Sequence, residues 1–132
     1  MRSGCSMRLL LDSHVLLWLL TADPVLPRSQ VARLFDARNE LLISAVSIWE
    51  LEVKRVKGKL VAPEDMLDRA EDAGFGWADL TPDNALDAAR LPRHHGDPFD
   101  RLLVAQAQGE AATLVTRDAR LAAYDVPVMR VG

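Results

Sequence analysis

The sequence predicts an α/β fold: a parallel or mostly parallel sheet covered by helices on both faces. Three observations predict it. Short apolar runs alternate with amphipathic segments along the whole chain. Runs such as "RLLL" and "ELLIS" lack the alternating polarity of a half-solvated strand, which marks strands buried on both sides. The 132 residues suit a single domain, and neither a repeat nor a low-complexity linker divides them.

The elements follow in order. Residues 8–12, "RLLLD", form a first strand that ends on an acid. Residues 13–23 form a helix that stops at Asp23-Pro24, because a residue before proline is pushed out of the helical region. Residues 28–38 are a second amphipathic helix and 40–45 a second strand. Residues 46–58, "VSIWELEVKRVKG", are a third helix with Gly58 as its stop; at 100° per residue Val46, Trp49, Val53, Val56 and Leu60 form one apolar stripe. A fourth helix spans 63–74, opened by Pro63 and closed by Gly74, and 75–80 reads as an edge strand. Thr81 is the N-cap of a helix over 81–91, with Pro82 at its first position. Asp97 caps a helix over 97–109 that Gly109 stops. Residues 112–118 are a buried strand ending on an acid, 119–125 a short helix, and 126–131 the last strand. Residues 1–6 read as a loose extension ahead of a domain spanning 7–132.

Composition narrows the function. The single cysteine, Cys5, can form no internal disulfide, and no apolar run reaches the roughly 20 residues that span a bilayer. A cytoplasmic protein is expected. Net charge is −3, so the chain as a whole does not advertise nucleic acid, yet the charge is uneven. "KRVKGK" at 54–59 holds all three lysines, while residues 64–87 carry eight acids against Arg69 alone. A basic strip of that kind can follow a phosphate backbone, or simply complement a helix C-terminus.

The candidate chemistry lies in the acids. Asp12 and Asp118 end strands, Glu50 lies in the first turn after the second strand, and Asp100 lies in the first turn of the helix before "TLVTRD". In a parallel α/β sheet these positions share one edge, where ligands bind. Four carboxylates brought together repel unless a cation is present, and hard ions such as Mg²⁺ or Mn²⁺ take carboxylate oxygens. Each acid also has a structural explanation. Ser47-x-x-Glu50 fits a capping box and Glu50/Lys54 an ion pair; Asp97 fits an N-cap, with Asp100 favoured at the positive end of the same helix. Thr116 or Asp118 can cap the segment near Ala119, and Asp12 the helix after it. Asp12 fits that explanation least well, because it ends a fully apolar strand. Both explanations stand open on the sequence.

Other chemistries find little support. No glycine-rich dinucleotide or phosphate loop is present. Cys5 has no catalytic context, and Ser13 beside His14 is a poor nucleophile–base pair. His94 and His95 lack the spaced partners of a zinc site. A receiver domain needs a late lysine, but the last one here is Lys59. A haloacid-dehalogenase-type phosphatase needs Asp-x-Asp, but the sequence is Asp12-Ser13-His14.

Four stretches, "MRLLLDSHVLLWLL", "LLISAVSIWELEVKRVKGKL", "LPRHHGDPFDRLLVAQA" and "LVTRDARLAAYDVPV", resemble in order and spacing the PIN-domain ribonucleases, and among them the VapC toxins of toxin–antitoxin pairs. The resemblance covers Met7 to Val131. It implies a three-layer α/β/α fold with about five strands, and a magnesium-dependent endoribonuclease in which Mn²⁺ can substitute. By this resemblance Asp12, Glu50, Asp100 and Asp118 are the family's four acids, Asp97 is an additional acid of the "DPFD" version, and Thr116 is a hydroxyl beside them. Asp12 and Asp100 would hold metal directly, Asp118 would complete a second, weaker site, and Glu50 would hold the attacking water or a metal through water. Arg55, Lys57, Lys59, Arg93, Arg101 and Arg117 are candidate RNA contacts, with Arg101 and Arg117 alternatively neutralising the acids. The implied partners are RNA, a cognate antitoxin and a second copy of the chain, as a homodimer or a toxin–antitoxin hetero-oligomer. Departures from the family pattern fall on residues 1–6 and on Ser13-His14. A PIN-fold nuclease acting on DNA or structured flaps, or an RNA-binding inhibitor with little cleavage, are the alternatives.

Overall fold

A computed structural model describes residues 7–94 and 96–132. The expectations for Cys5, the 1–6 extension and His95 lie outside the described residues. Five strands run β1 (Met7–Leu11), β2 (Asn39–Ser44), β3 (Gly76–Ala78), β4 (Thr113–Thr116) and β5 (Val128–Arg130). Six helices accompany them: α1 (Ser13–Thr21), α2 (Arg28–Leu34), α3 (Ala45–Val56), α4 (Met66–Asp72), α5 (Pro82–Arg90) and α6 (Pro98–Gly109).

All four strand pairings are parallel, in the order β3-β2-β1-β4-β5. The sheet has apolar layers on both faces, as the unbroken apolar runs require. Leu9, Leu11, Leu41, Ile43 and Val115 pack into one layer with residues of α1, α3 and α4. Leu10, Leu42 and Leu114 point the other way, against Leu103, Val104 and Ala107 of α6. The chain leaves β1 toward β2 on one side and returns at β4 on the other. Strand order therefore reverses beside β1, and the crevice beyond the carboxyl ends of β1 and β4 is where such a sheet binds ligands.

Several elements differ from expectation for identifiable reasons. Helix α2 ends at Leu34 rather than running to 38, because the Asn39 side-chain amide donates to the carbonyls of Arg33 (2.9 Å) and Leu34. Helix α4 starts at Met66, three residues after Pro63; Met66 is buried, while Asp65 bonds Arg69 instead of capping. Helix α3 is capped by Ser44, whose Oγ accepts from Val46 N (3.0 Å). The proposed Ser47/Glu50 box therefore does not form, and the buried Ser47 hydroxyl meets no partner among the described residues. Most of the predicted apolar stripe of α3 is not in the core. Val46 is buried, but Trp49 and Val56 are exposed, and α3 instead turns Ser47, Glu50 and Leu51 inward.

Gly58 does stop α3, at φ +71°. Gly109 has another role: it is the last residue of α6, and a Cβ there would lie 2.8 Å from the Asn84 amide of α5. The chain turns instead at Ala111, φ +51°. Residues 119–123 form a 3₁₀ turn capped by Asp118.

Candidate active site

The carboxyl edge of the sheet gathers the acids. Asp12 follows β1 directly and is 7% exposed. Its Oδ1 accepts from Val15 N at 2.9 Å, so it is a true N-cap of α1, worth about 1 kcal/mol. Its Oδ2 accepts from Thr116 Oγ1 of β4 at 2.5 Å. The same Thr116 oxygen accepts the Asp118 N–H at 3.0 Å. A relay from the Asp118 amide through a fully buried hydroxyl to Asp12 thus ties the ends of β1 and β4 together. Burial pushes the Asp12 carboxyl above the ordinary aspartate range, and the Thr116 and Val15 bonds only partly oppose it.

Glu50 comes from the second turn of α3 and is 4% exposed. Its Oε1 accepts from Ser13 Oγ (2.6 Å) and its Oε2 from Lys54 Nζ (2.7 Å). The bond to Glu50 raises the Lys54 pKa, with Asp97 and Asp100 adding to the rise. Asp97 caps α6, accepting from Phe99 N (2.8 Å) and Asp100 N (3.3 Å), which sets Asp100 in the first turn. The buried Gln106 of α6 accepts from Ser44 Oγ (2.8 Å) and donates to Asp79 O (3.1 Å), anchoring that helix to the ends of β2 and β3. Asp118 forms a two-point pair with Arg120, Oδ1 with Nε (3.0 Å) and Oδ2 with Nη2 (2.8 Å).

These residues share one cavity of about 530 Å³, lined by Asp12, Glu50, Asp97, Asp100 and Asp118, with Lys54, Arg117 and Arg120 as its cations and Ser13, His14 and Trp18 completing the wall. All four proposed acids and Asp97 therefore line the same cavity; Asp12, Asp97 and Asp118 also cap helices or turns, whereas the capping box read for Glu50 does not form. Five carboxylates against three cationic side chains leave a formal balance of −2. Among the described residues no three carboxylates converge as a finished metal cage. That donor set still fits Mg²⁺, which keeps several waters and is commonly held by one or two carboxylates. A buried Asp12 that ionises reluctantly is what a divalent ion would stabilise.

The basic candidates separate. Arg117 lines the cavity, its guanidinium 5.8 Å from the Trp18 ring centre. Arg93 and Arg101 line a neighbouring cavity of about 490 Å³. Arg101 is engaged by backbone carbonyls, of Leu91 (2.8 Å), Ala88 (3.0 Å) and Pro92 (3.0 Å), and so ties α6 to the end of α5. Arg55 pairs with Glu52 and Glu64, away from the cavity wall. Lys57 and Lys59 are exposed beyond the end of α3 and do not line the cavity. Ser13, Gln106 and Arg120 have roles that the sequence did not assign, whereas the Glu50–Lys54 ion pair read from the sequence does form. For Lys54 the i,i+4 spacing to Glu50 was the available signal; nothing local marks the contact of Ser13 with a residue 37 positions away.

A profile of the PIN domain matches residues 9–127. The chain belongs to the PIN-domain family. Ribonuclease VapC22 of Mycobacterium tuberculosis is 32% identical over 123 residues, covering 89% of this chain and 92% of that protein. Solved structures that share the fold include the following two. VapBC2 from Rickettsia felis, bound to a DNA fragment from its promoter, superposes with a TM-score of 0.69 at 15% identity, covering 96% of this chain and 100% of that one. VapBC-5 from Mycobacterium tuberculosis superposes with a TM-score of 0.60 at 24% identity, covering 94% and 98%. Among the described residues no helix of this PIN domain is long and apolar enough to cross a membrane.

Proposed function

We propose that this PIN domain is a VapC-type toxin whose carboxylate cavity hydrolyses RNA with the help of a divalent ion. The endoribonuclease assignment follows from the family and from the ribonuclease relative. One observation carries the reading of the site: Asp12, Glu50, the Asp97/Asp100 pair at the start of α6, and Asp118, from four separate segments of the chain, line one cavity at the strand-order reversal. One or two Mg²⁺ ions, or Mn²⁺ in their place, would be held by Asp12, Asp100 and Asp118, supplying Lewis acidity that activates water and stabilises charge on the scissile phosphate.

The chain's own residues do the positioning. Thr116 fixes the Asp12 carboxylate and biases it toward its ionised form. Asp97 aims the first turn of α6, and with it Asp100. Glu50, held by Ser13, orients the attacking water. Arg117 and Arg120, at the cavity mouth, receive the phosphate backbone. Attack in line leaves a 5′-phosphate and a 3′-hydroxyl. The cognate antitoxin is the partner we expect, and the relatives solved as VapBC assemblies support it. A homodimer or toxin–antitoxin hetero-oligomer in the cytoplasm completes the reading.

The test is cleavage of RNA, single-stranded DNA and flap DNA by purified protein with MgCl₂, MnCl₂ or EDTA, with end-group mapping. RNA products bearing 5′-phosphates, formed only with metal, are expected. Preferential cutting of DNA, or binding to RNA without turnover, would replace this reading with one of its alternatives.

A further inference from the structure

We propose that Lys54 is a resident counter-cation of the carboxylate cavity, holding Glu50 in the metal-free protein and giving it up when a divalent ion binds. The inference rests on the metal-dependent reading above and adds a competitor to it. Both oxygens of Glu50 are already taken, Oε1 by Ser13 at 2.6 Å and Oε2 by Lys54 at 2.7 Å. Glu50 is 4% exposed, so bulk water cannot replace either partner without rearrangement. Serine has no reach to spare, whereas Lys54 carries its ammonium on a flexible four-carbon stem and its side chain is 35% exposed. Lys54 is thus the partner able to move. Its charge also acts on Asp97, the cap of α6, and on Asp100 in its first turn, which line the same cavity. One lysine therefore partly neutralises three of the five acids.

Arg120 on Asp118 gives a contrast. Its side chain is 70% exposed, and such an ion pair opens at little cost. The Lys54–Glu50 bond is less exposed on both sides and resists opening more. By Coulomb's law a single positive charge at a separation of about 7 Å would weaken the binding of a divalent ion roughly tenfold, even with screening close to that of water.

Thermal unfolding during MgCl₂ and MnCl₂ titration, starting in EDTA, gives apparent metal affinities for the wild type, Lys54→Gln and Lys54→Arg. The glutamine keeps a donor for Glu50 but not the charge; the arginine keeps the charge. Lys54→Gln should bind Mg²⁺ roughly tenfold more tightly, and Lys54→Arg should stay within about twofold of wild type. A second readout needs no variant. Lys54, Lys57 and Lys59 are the only lysines, and the last two are exposed internal standards. Pulsed reductive methylation read by mass spectrometry should label Lys54 slowly in EDTA and several-fold faster at saturating Mn²⁺. Unchanged or weaker metal binding by Lys54→Gln, or labelling of Lys54 indifferent to metal, overturns the proposal. If the wild type itself shows no metal-dependent shift, the metal reading falls and this proposal with it; a wild-type shift that Lys54→Gln leaves unchanged removes only the role of Lys54.

Discussion

Replacing Thr116 by valine tests how the two central strand ends are joined. The exchange keeps the branched shape of this fully buried side chain but not its hydroxyl, so its main effect falls on hydrogen bonding. Two hydrogen bonds disappear. The hydroxyl no longer donates to Asp12 Oδ2, a bond to a charged group worth about 1.5–3 kcal/mol, and the Asp118 N–H loses its acceptor at a cost of about 1 kcal/mol. The expected loss is about 3 kcal/mol near neutral pH, or roughly 10 °C in melting temperature for a domain of this size. The pH dependence gives the decisive signature. The Thr116 bond favours ionised Asp12, against the upward push of burial. The penalty should therefore be full above the Asp12 titration and shrink as pH falls through it. Thermal unfolding in EDTA at several pH values, with Thr116→Ser as a control that keeps the hydroxyl, measures this. RNA cleavage at neutral pH should fall about 10- to 100-fold in the valine variant, because the bond orients a proposed metal-holding carboxylate. A melting temperature within about 1 °C of wild type, or a penalty that grows on acidification, would refute the reasoning.

Asp12→Asn keeps an N-cap but removes the charge, so it should abolish cleavage while raising the melting temperature of the metal-free protein near neutral pH. The sign follows from the raised Asp12 pKa: the folded state binds the proton more tightly, so this contribution stabilises at low pH and is lost as pH rises from about 3.9 through the raised value. A pH–stability profile of the two proteins, converging in acid and diverging toward neutrality, checks it. Gln106→Leu strands the Ser44 hydroxyl and the Asp79 carbonyl; a loss of about 2 kcal/mol by urea unfolding is expected, with reduced cleavage because α6 carries Asp100. Arg101→Met should lower stability by about 1–2 kcal/mol and leave the salt dependence of RNA binding unchanged, whereas Arg117→Ala should reduce the log–log salt slope by about 0.7 and leave stability unchanged. Fluorescence-anisotropy titrations over a range of KCl separate the two arginines.

Much of this site can be read directly from the chain because its physics is local. Strands ending on Asp12 and before Asp118, and the Asp97-Pro98 start of α6, are short-range patterns, and a parallel sheet carries all such ends to one edge. The central strands read correctly for the same reason, since burial on both faces demands unbroken apolar runs. What escaped the sequence depends on distant partners. The stripe on α3 looked like a core face, but the helix turns Glu50 and Ser47 inward and leaves Trp49 outside. Periodicity records which residues are apolar; it does not record a buried acid whose partner, Ser13, lies 37 residues away. The engagement of Arg101 by carbonyls of a neighbouring helix end, and of Ser44 by Gln106, are likewise invisible without the packing.

The most direct measurement is single-turnover cleavage of a labelled RNA by wild type and Asp100→Asn, with MgCl₂ and with EDTA. Asp100 suits this test because it lines the cavity yet, unlike Asp12, is not the cap that starts a helix. The account predicts cleavage by the wild type only with Mg²⁺, and a loss of at least about 100-fold in Asp100→Asn with its melting temperature preserved. Undiminished cleavage by a folded Asp100→Asn, or by wild type in EDTA, would contradict a carboxylate-held metal as the source of the activity.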